Sequence, residues 1–422
     1  MISDAAMEHL LQYVEAFVDE FVAVGDLAGA EQAAEELGRA LSARVVQRLA
    51  ASTAGRASYQ GPALPCGCGG KARFMGYRGC TVVTVCGRVQ VRRAYYHCLG
   101  CGSGYLPWDE AQGLGAGYLS PSLKALVAEV AVQMPYGEGM RLLGRLRGVA
   151  VEESTAERTV AELGARARAD EAQRMAASLT GEVSAERAPQ RLVVEMDGTS
   201  GHIDGAWHEV KSAVVWSTDQ GAAPRRYAAA QEPAERFGER VYALAAETGV
   251  EQAAEVVRLG DGAEWIDNQF AHHFPQAVRV LDIWHAREHI WTVARVHWGE
   301  DSELGGRWAE EHCRRLVSEG PEPLLHALAA LRPKTEEAAR VIRRERAYSR
   351  QRREQMRYPE FLARGIPISS GRVEAGCKVL VGQRLKRAGM RWSAAGADAI
   401  LALRCLVLNG DHKRIQAYAR AA

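Results

Sequence analysis

Arg191-Leu192-Val193-Val194-Glu195-Met196-Asp197-Gly198-Thr199 reads as a strand, apolar through its middle and ending on an acid. A second run, Val256-Val257-Arg258-Leu259-Gly260-Asp261-Gly262, ends the same way. A third acid, Glu374, opens a helix-like segment, Ser369-Ser370-Gly371-Arg372-Val373-Glu374-Ala375-Gly376-Cys377-Lys378. Two carboxylates at strand ends and one on a later helix can converge on a pair of divalent cations. Such a pair, Mg2+ or Mn2+, activates water and stabilises the attacking and leaving oxygens of a phosphodiester. Each signal is weak singly, because strand-end Asp residues commonly serve turns and a first-turn Glu already suits the helix dipole.

Around these acids the periodicity predicts strands at 191–197, 207–216 and 225–231, a helix at 234–248 and a strand at 254–260. A helix from Glu264, a short strand at 278–282 and mostly helical text through 367 follow. Three strands, a helix and further strands resemble the ribonuclease H order, in which the first and fourth strands are neighbours. That order would set Asp197 beside Asp261. The stretch from Asp261 to Glu374 is too long for a loop, so a helical insertion over 286–367 is expected. The fold class is therefore α/β: a ribonuclease H-like core over 186–285 and 368–422, interrupted by that insertion.

Upstream, 1–58 reads as an acidic helical region, with Leu10, Leu11, Val14, Phe17, Val18 and Phe21 at helical spacing and a break at Gly25-Asp26. From 59 to 110 the text turns to strands, Thr81–Val85 and Arg88–Tyr96, bracketed by Cys66-Gly67-Cys68-Gly69-Gly70 and Cys98-Leu99-Gly100-Cys101-Gly102. Two cysteine pairs on glycine-bearing turns can present four thiolates to a structural Zn2+, with Cys80 and Cys86 as substitutes. Residues 111–185 read as three short helices. Ser120-Pro121 starts the first, a capping box Ser154-Thr155-Ala156-Glu157 opens the third, and Arg158, Arg166 and Arg168 lie on the latter. A helix-turn-helix reader of DNA and a plain helical bundle both fit this pattern.

The 422 residues carry a net charge of only +1, which averages two opposed regions. Residues 1–40 hold nine Asp/Glu and one Lys/Arg, whereas 334–392 hold 16 Lys/Arg and 6 Asp/Glu. The basic block surrounds Glu374 and suits a polyanion. Within it Lys378, Arg384, Lys386, Arg387 and Arg391 are candidate DNA contacts, and Trp392 is either a base-stacking or a core residue. No apolar run is long enough to span a bilayer and no signal-peptide pattern opens the chain, so a cytoplasmic protein is expected.

At these residues the chain resembles the DDE transposases of the ISKra-type bacterial insertion-sequence group, with more distant kinship to the Mutator class. The resemblance rests on Glu195-Met196-Asp197-Gly198-Thr199, Trp207-His208-Glu209-Val210-Lys211, Gly260-Asp261-Gly262-Ala263-Glu264-Trp265-Ile266, Leu281-Asp282-Ile283-Trp284-His285, Ser370-Gly371-Arg372-Val373-Glu374 and Lys386-Arg387-Ala388-Gly389-Met390-Arg391-Trp392. It implies metal ligation by Asp197, Asp261 and Glu374, an Asp-x-x-His element at Asp282 and His285, and cleavage and joining of transposon ends to target DNA. A nucleoid-associated dimer or higher oligomer would follow from cutting two ends. His285 would orient or shuttle a proton, or else be a core histidine on Asp282. Two rivals stand beside this: a non-catalytic zinc-ribbon/helix-turn-helix regulator, and a zinc peptidase using His285-Ala286-Arg287-Glu288-His289.

Overall fold

The computed structural model describes residues 8–9, 11–12, 14–15, 26–115, 117–183, 185, 188–219 and 225–421. The expected helical positions Leu10, Phe17, Val18 and Phe21, and the break at Gly25, lie outside these. The protein is mixed α/β with two sheets, and it divides into two compact units. One comprises Met1–Val130, Tyr136–Ala156 and Ala419–Ala422; the other comprises Ala131–Pro135 and Glu157–Tyr418. No helix among the described residues is long and apolar enough to cross a membrane.

The first unit is built on an antiparallel meander of four strands, β1 (Ala63–Pro65), β2 (Lys71–Thr84), β3 (Gly87–Cys98) and β4 (Gly104–Tyr105). β2 and β3 form a long hairpin running from the Thr84↔Gly87 pair to Ala72↔Cys98, with a bulge between Phe74 and Gly76. A helix, Leu27–Thr53, starts where the Asp26 carboxylate accepts the Gly29 N–H at 2.8 Å. Val46 and Ala50 of this helix pack against Val82, Val89, Val91 and Trp108.

The second unit holds a five-stranded sheet: β5 (Arg191–Ile203), β6 (Ala206–Ser217), β7 (Arg226–Ala230), β8 (Glu255–Gly260) and β9 (Val278–Leu281). Its order is β7-β6-β5-β8-β9, and only β6 runs against the others. The apolar run of β5 needs both faces of the sheet covered. Leu192, Val194 and Met196 pack on Phe237, Val241, Ile266 and Phe270 of helices Ala234–Thr248 and Glu264–His273. Val193, Val257 and Leu259 face the opposite way, into a core shared with Ile283, Ile290, Val293, Ile342, Tyr358, Phe361 and Val373. That second core is supplied by the helices Ile283–Trp298, Glu303–Glu319, Glu322–Ala330, Glu336–Gln351 and Tyr358–Ala363, which fill the expected insertion.

The expected three-helix unit appears as Pro121–Ala131, Tyr136–Arg147 and Glu153–Leu179, the last beginning one residue before Ser154 and running far past Leu163. It does not stand as a separate compact unit, because most of its third helix belongs with the five-stranded sheet. Arg166 pairs with Glu162, and Arg168 with Glu171 and Asp398, so these two side chains are engaged inside the second unit rather than held ready for bases.

Candidate active site and cysteine centre

β5 and β8 pair in parallel through Glu195↔Leu259, so Asp197 and Asp261, each two residues on, lie level with each other. Asp261 follows the end of β8, whereas Asp197, expected at a strand end, sits in the middle of β5 and pairs with Ser212 of β6. Gly260 pairs with Leu281, which sets Asp282 next along the row. The carboxyl ends of adjacent parallel strands are where open α/β sheets bind ligands.

The third acid arrives on a helix laid over β5 and β6. Gly371–Cys377 runs directly into a π-helical turn, Lys378–Gly382, and then Gln383–Leu385; such turns recur at functional sites. The helix comes close because Gly376 has no side chain: a Cβ there would lie 3.1 Å from Val214 Cγ2.

Two fully buried carboxylates fasten the start of this helix. Glu195 accepts the Trp216 indole N–H at 2.8 Å on one oxygen and the Val373 N–H at 3.0 Å on the other. Asp282 accepts the Trp284 and His285 N–H groups at 2.7 and 3.0 Å on Oδ1. Its Oδ2 accepts the Ser370 N–H at 2.6 Å and the Ser370 hydroxyl at 2.8 Å. That hydroxyl also lies 3.4 Å from Glu374 Oε1.

The acids themselves are more sparsely bonded. Asp197 accepts the Gly198 N–H at 2.7 Å and the Cys377 thiol at 3.3 Å. Burial raises its pKa, those two hydrogen bonds oppose the rise, and the charges of Asp261 and Glu374 add to it. Burial likewise pushes Glu195 up to about 7 and Cys377 up to about 12. Asp261 accepts the Ala263 N–H at 2.8 Å. Its loop is clamped from the insertion, with the Tyr348 hydroxyl 3.4 Å from the Asp261 carbonyl and Arg352 donating to the Gly262 carbonyl at 2.7 Å. Gly262 has φ +82°, and a Cβ there would meet Tyr348 Oη and Arg352 Nε at 2.8 Å, so both backbone and space demand glycine. Asp197 feels the charges of Asp261 and Glu374, but the three carboxylates do not come within 4.8 Å of one another as a set.

His285 does not hydrogen-bond Asp282 through its ring. Its Nδ1 lies 3.2 Å from Glu288, and only its backbone N–H reaches Asp282. His289 pairs instead with Glu345 at 2.5 Å and stacks on Tyr348 at 3.8 Å. Among the described residues these two histidines join no set of three mutually close ligands, which leaves the peptidase arrangement without support.

Lys378, Lys386, Arg387 and Arg391 are exposed, and Lys386 donates to the Thr199 hydroxyl at 2.6 Å. Arg384 is not a surface contact: it is fully buried, donates to the Ala131 carbonyl at 2.8 Å and lies 4.6 Å over the Trp392 ring. Trp392 is accordingly a core residue, and its carbonyl accepts the Asp204 N–H at 2.8 Å.

In the other unit, Cys66, Cys68, Cys98 and Cys101 bring four sulfurs within 4.8 Å of one another, a set that can hold a metal ion such as zinc. Cys66 and Cys101 stand 3.6 Å apart, and Cys68 and Cys98 3.7 Å. Tetrahedral Zn–S bonds of about 2.3 Å require sulfurs about 3.8 Å apart. Gly69 and Gly102, at φ +85° and +75°, turn the chain just after each pair. Hydrogen bonding with Ser103 lowers the Cys101 thiol to about 6. Cys80 and Cys86 take no part.

Sequence reading missed Glu195, Ser370, Cys377, Tyr348 and Arg352. Only Glu195 signalled itself, as a charge between apolar residues on a strand buried on both faces. No curated protein matches the chain. A family model described as "Uncharacterised protein family (UPF0236)" matches residues 71–420, and the chain belongs to that family.

Proposed function

We propose that this protein is a DNA transposase of the DDE type, cutting the ends of its own element and joining the freed 3′-OH to target DNA. The observation that carries this reading is the seating of Asp197, within β5, level with Asp261, just past the end of the neighbouring β8, with Glu374 on a helix anchored to Glu195 and Asp282. The strand order β7-β6-β5-β8-β9, with β6 alone reversed, agrees with a ribonuclease H-like core.

The donor set fits Mg2+ or Mn2+, which take carboxylate oxygens at about 2.0–2.1 Å. Asp197, Asp261 and Glu374 would hold a pair of such ions. When bound, they supply an activated water and stabilise the leaving oxygen. The chain's own part is to hold Asp197 through Gly198 and Cys377, Asp261 through Ala263, and Glu374 through the anchored helix start. The cysteine quartet is assigned to a structural Zn2+, because four sulfurs leave no open position. Two ends to cut imply a dimer or higher assembly.

The test is nicking of plasmid DNA carrying the sequences that flank this chain's own gene, with Mg2+. Asp197→Asn, Asp261→Asn and Glu374→Gln should each slow cleavage by three orders of magnitude or more, about 4 kcal/mol of transition-state stabilisation. Cleavage that survives Asp197→Asn would sink the reading.

A further inference from the structure

The helix Glu336–Gln351 has two very different sides. Ala338, Val341, Ile342, Glu345 and Ser349 are buried, and Tyr348 touches the Asp261 loop. The far side exposes Arg340, Arg343, Arg346 and Arg350. Steps of three, three and four residues keep all four on one face, along about 15 Å of helix.

Among the described residues, none of these four has an ion pair, hydrogen bond or ring partner. The neighbouring helix Glu303–Glu319 is the contrast. There Arg307, Arg314 and Arg315 each pair with a glutamate one turn away, Glu303, Glu311 and Glu319. Neutralised arginines are the ordinary way to solvate a helix face. Four like charges at three- and four-residue spacing repel one another instead, so folding alone gives no reason to line them up.

We propose that Arg340, Arg343, Arg346 and Arg350 form a rail for the sugar–phosphate backbone of duplex DNA flanking the cut. Their spacing of roughly 4.5–6 Å along the helix lets successive guanidiniums take phosphates of one strand, each by paired N–H donors. The rail lies across one helix diameter, about 10–12 Å, from the side that meets the Asp261 loop, so it holds flanking duplex and not the reacting phosphate. This rests on the proposal that the chain acts on DNA, but adds a surface that the three acids do not require.

The test measures binding of the full chain to a short duplex of arbitrary sequence, by fluorescence anisotropy, without added Mg2+, across about 50–200 mM salt. Each backbone phosphate contact adds about 0.9 to the slope of log K against log salt. Changing Arg343→Gln, Arg346→Gln and Arg350→Gln together should lower that slope by about 2–3. The control, Arg307→Gln, Arg314→Gln and Arg315→Gln, removes the same charge from paired positions and should leave it nearly unchanged. Equal slopes for wild type and the rail variant overturn the proposal, as does an equal loss in the control. A protein that binds with the full slope yet never cleaves refutes the catalytic reading and leaves the rail standing; one that binds no duplex refutes both.

Discussion

Removing the Asp282 carboxylate should loosen the start of the Glu374 helix before it touches the rest of the sheet. Asp282 is fully buried and receives three backbone N–H groups and one hydroxyl, from the Ile283 helix and from Ser370. Each hydrogen bond to a charged acceptor contributes about 1.5–3 kcal/mol, and each buried donor left unpaired costs about 1–3. Asp282→Ala orphans three amides at once. The released Ser370 hydroxyl can turn wholly to Glu374, and some water will enter, so a net loss of about 3–5 kcal/mol is expected. Asp282→Asn keeps one acceptor oxygen, loses the other and should cost about half as much. Urea denaturation reads the total. Amide exchange locates it: protection should fall at Trp284, His285, Ser370 and Val373 while the amides of β5 keep theirs. An Asp282→Ala protein within about 1 kcal/mol of wild type, with Ser370 still protected, would refute the claim that this side chain sets the third acid.

Two further outcomes follow from the same geometry. Denatured protein should release one Zn2+ per chain to a colorimetric chelator, and Cys98→Ser should remove the metal and unfold the hairpin, whereas Cys313→Ser, a buried thiol in the other unit, should leave the metal in place. Asp197 has a raised pKa, so its charge costs the fold nothing below the unfolded value of about 3.9 and penalises it as pH rises through the folded value. Without divalent cations at neutral pH, Asp197→Asn should therefore melt above wild type, while wild type alone should gain from Mn2+; a lower melting temperature with an undiminished Mn2+ response would contradict both statements.

Much of the second unit was legible because its signals are local. The apolar run 191–197, the run 207–216 ending in Ala213-Val214-Val215-Trp216 and the Gly260-Asp261-Gly262 turn are local signals, and β5, β6 and β8 appear where expected, although β5 continues past Asp197 to Ile203. The cysteine quartet was readable for the same reason: two short motifs carry their own turns. What sequence concealed is what depends on partners distant in the chain. Arg384 reads as one more cation in a basic block, yet Ala131 and Trp392 enclose it. His285 reads as a partner for Asp282, but helix geometry turns its ring to Glu288 and leaves Asp282 to backbone amides. The helix Glu153–Leu179 runs well past Leu163 because its second half is rich in strong helix formers, and ion pairs from Arg168 to Asp398 and from Arg174 to Glu247 fasten it.

Five carboxylates crowd this end of the sheet, and their hydrogen bonds divide them by task. A carboxylate offers about four lone-pair sites. Asp282 has four donors aimed at it, and Glu195 has two, both from rigid groups within the core. Neither can turn toward a cation without orphaning those donors. Asp261 has one recorded donor to its side chain and Glu374 one long contact, while Asp197 has a backbone amide and a weak thiol donor. These three keep oxygens open, and the raised pKa of Asp197, set first by burial and then by the charges of Asp261 and Glu374, reflects the cost of holding them together. A purely structural cluster would neutralise that charge with arginine or amide donors, as Glu171 does between Arg168 and Arg240 elsewhere in the unit. Carboxylates left underbonded beside two that are fully anchored are what the proposed cation site would require.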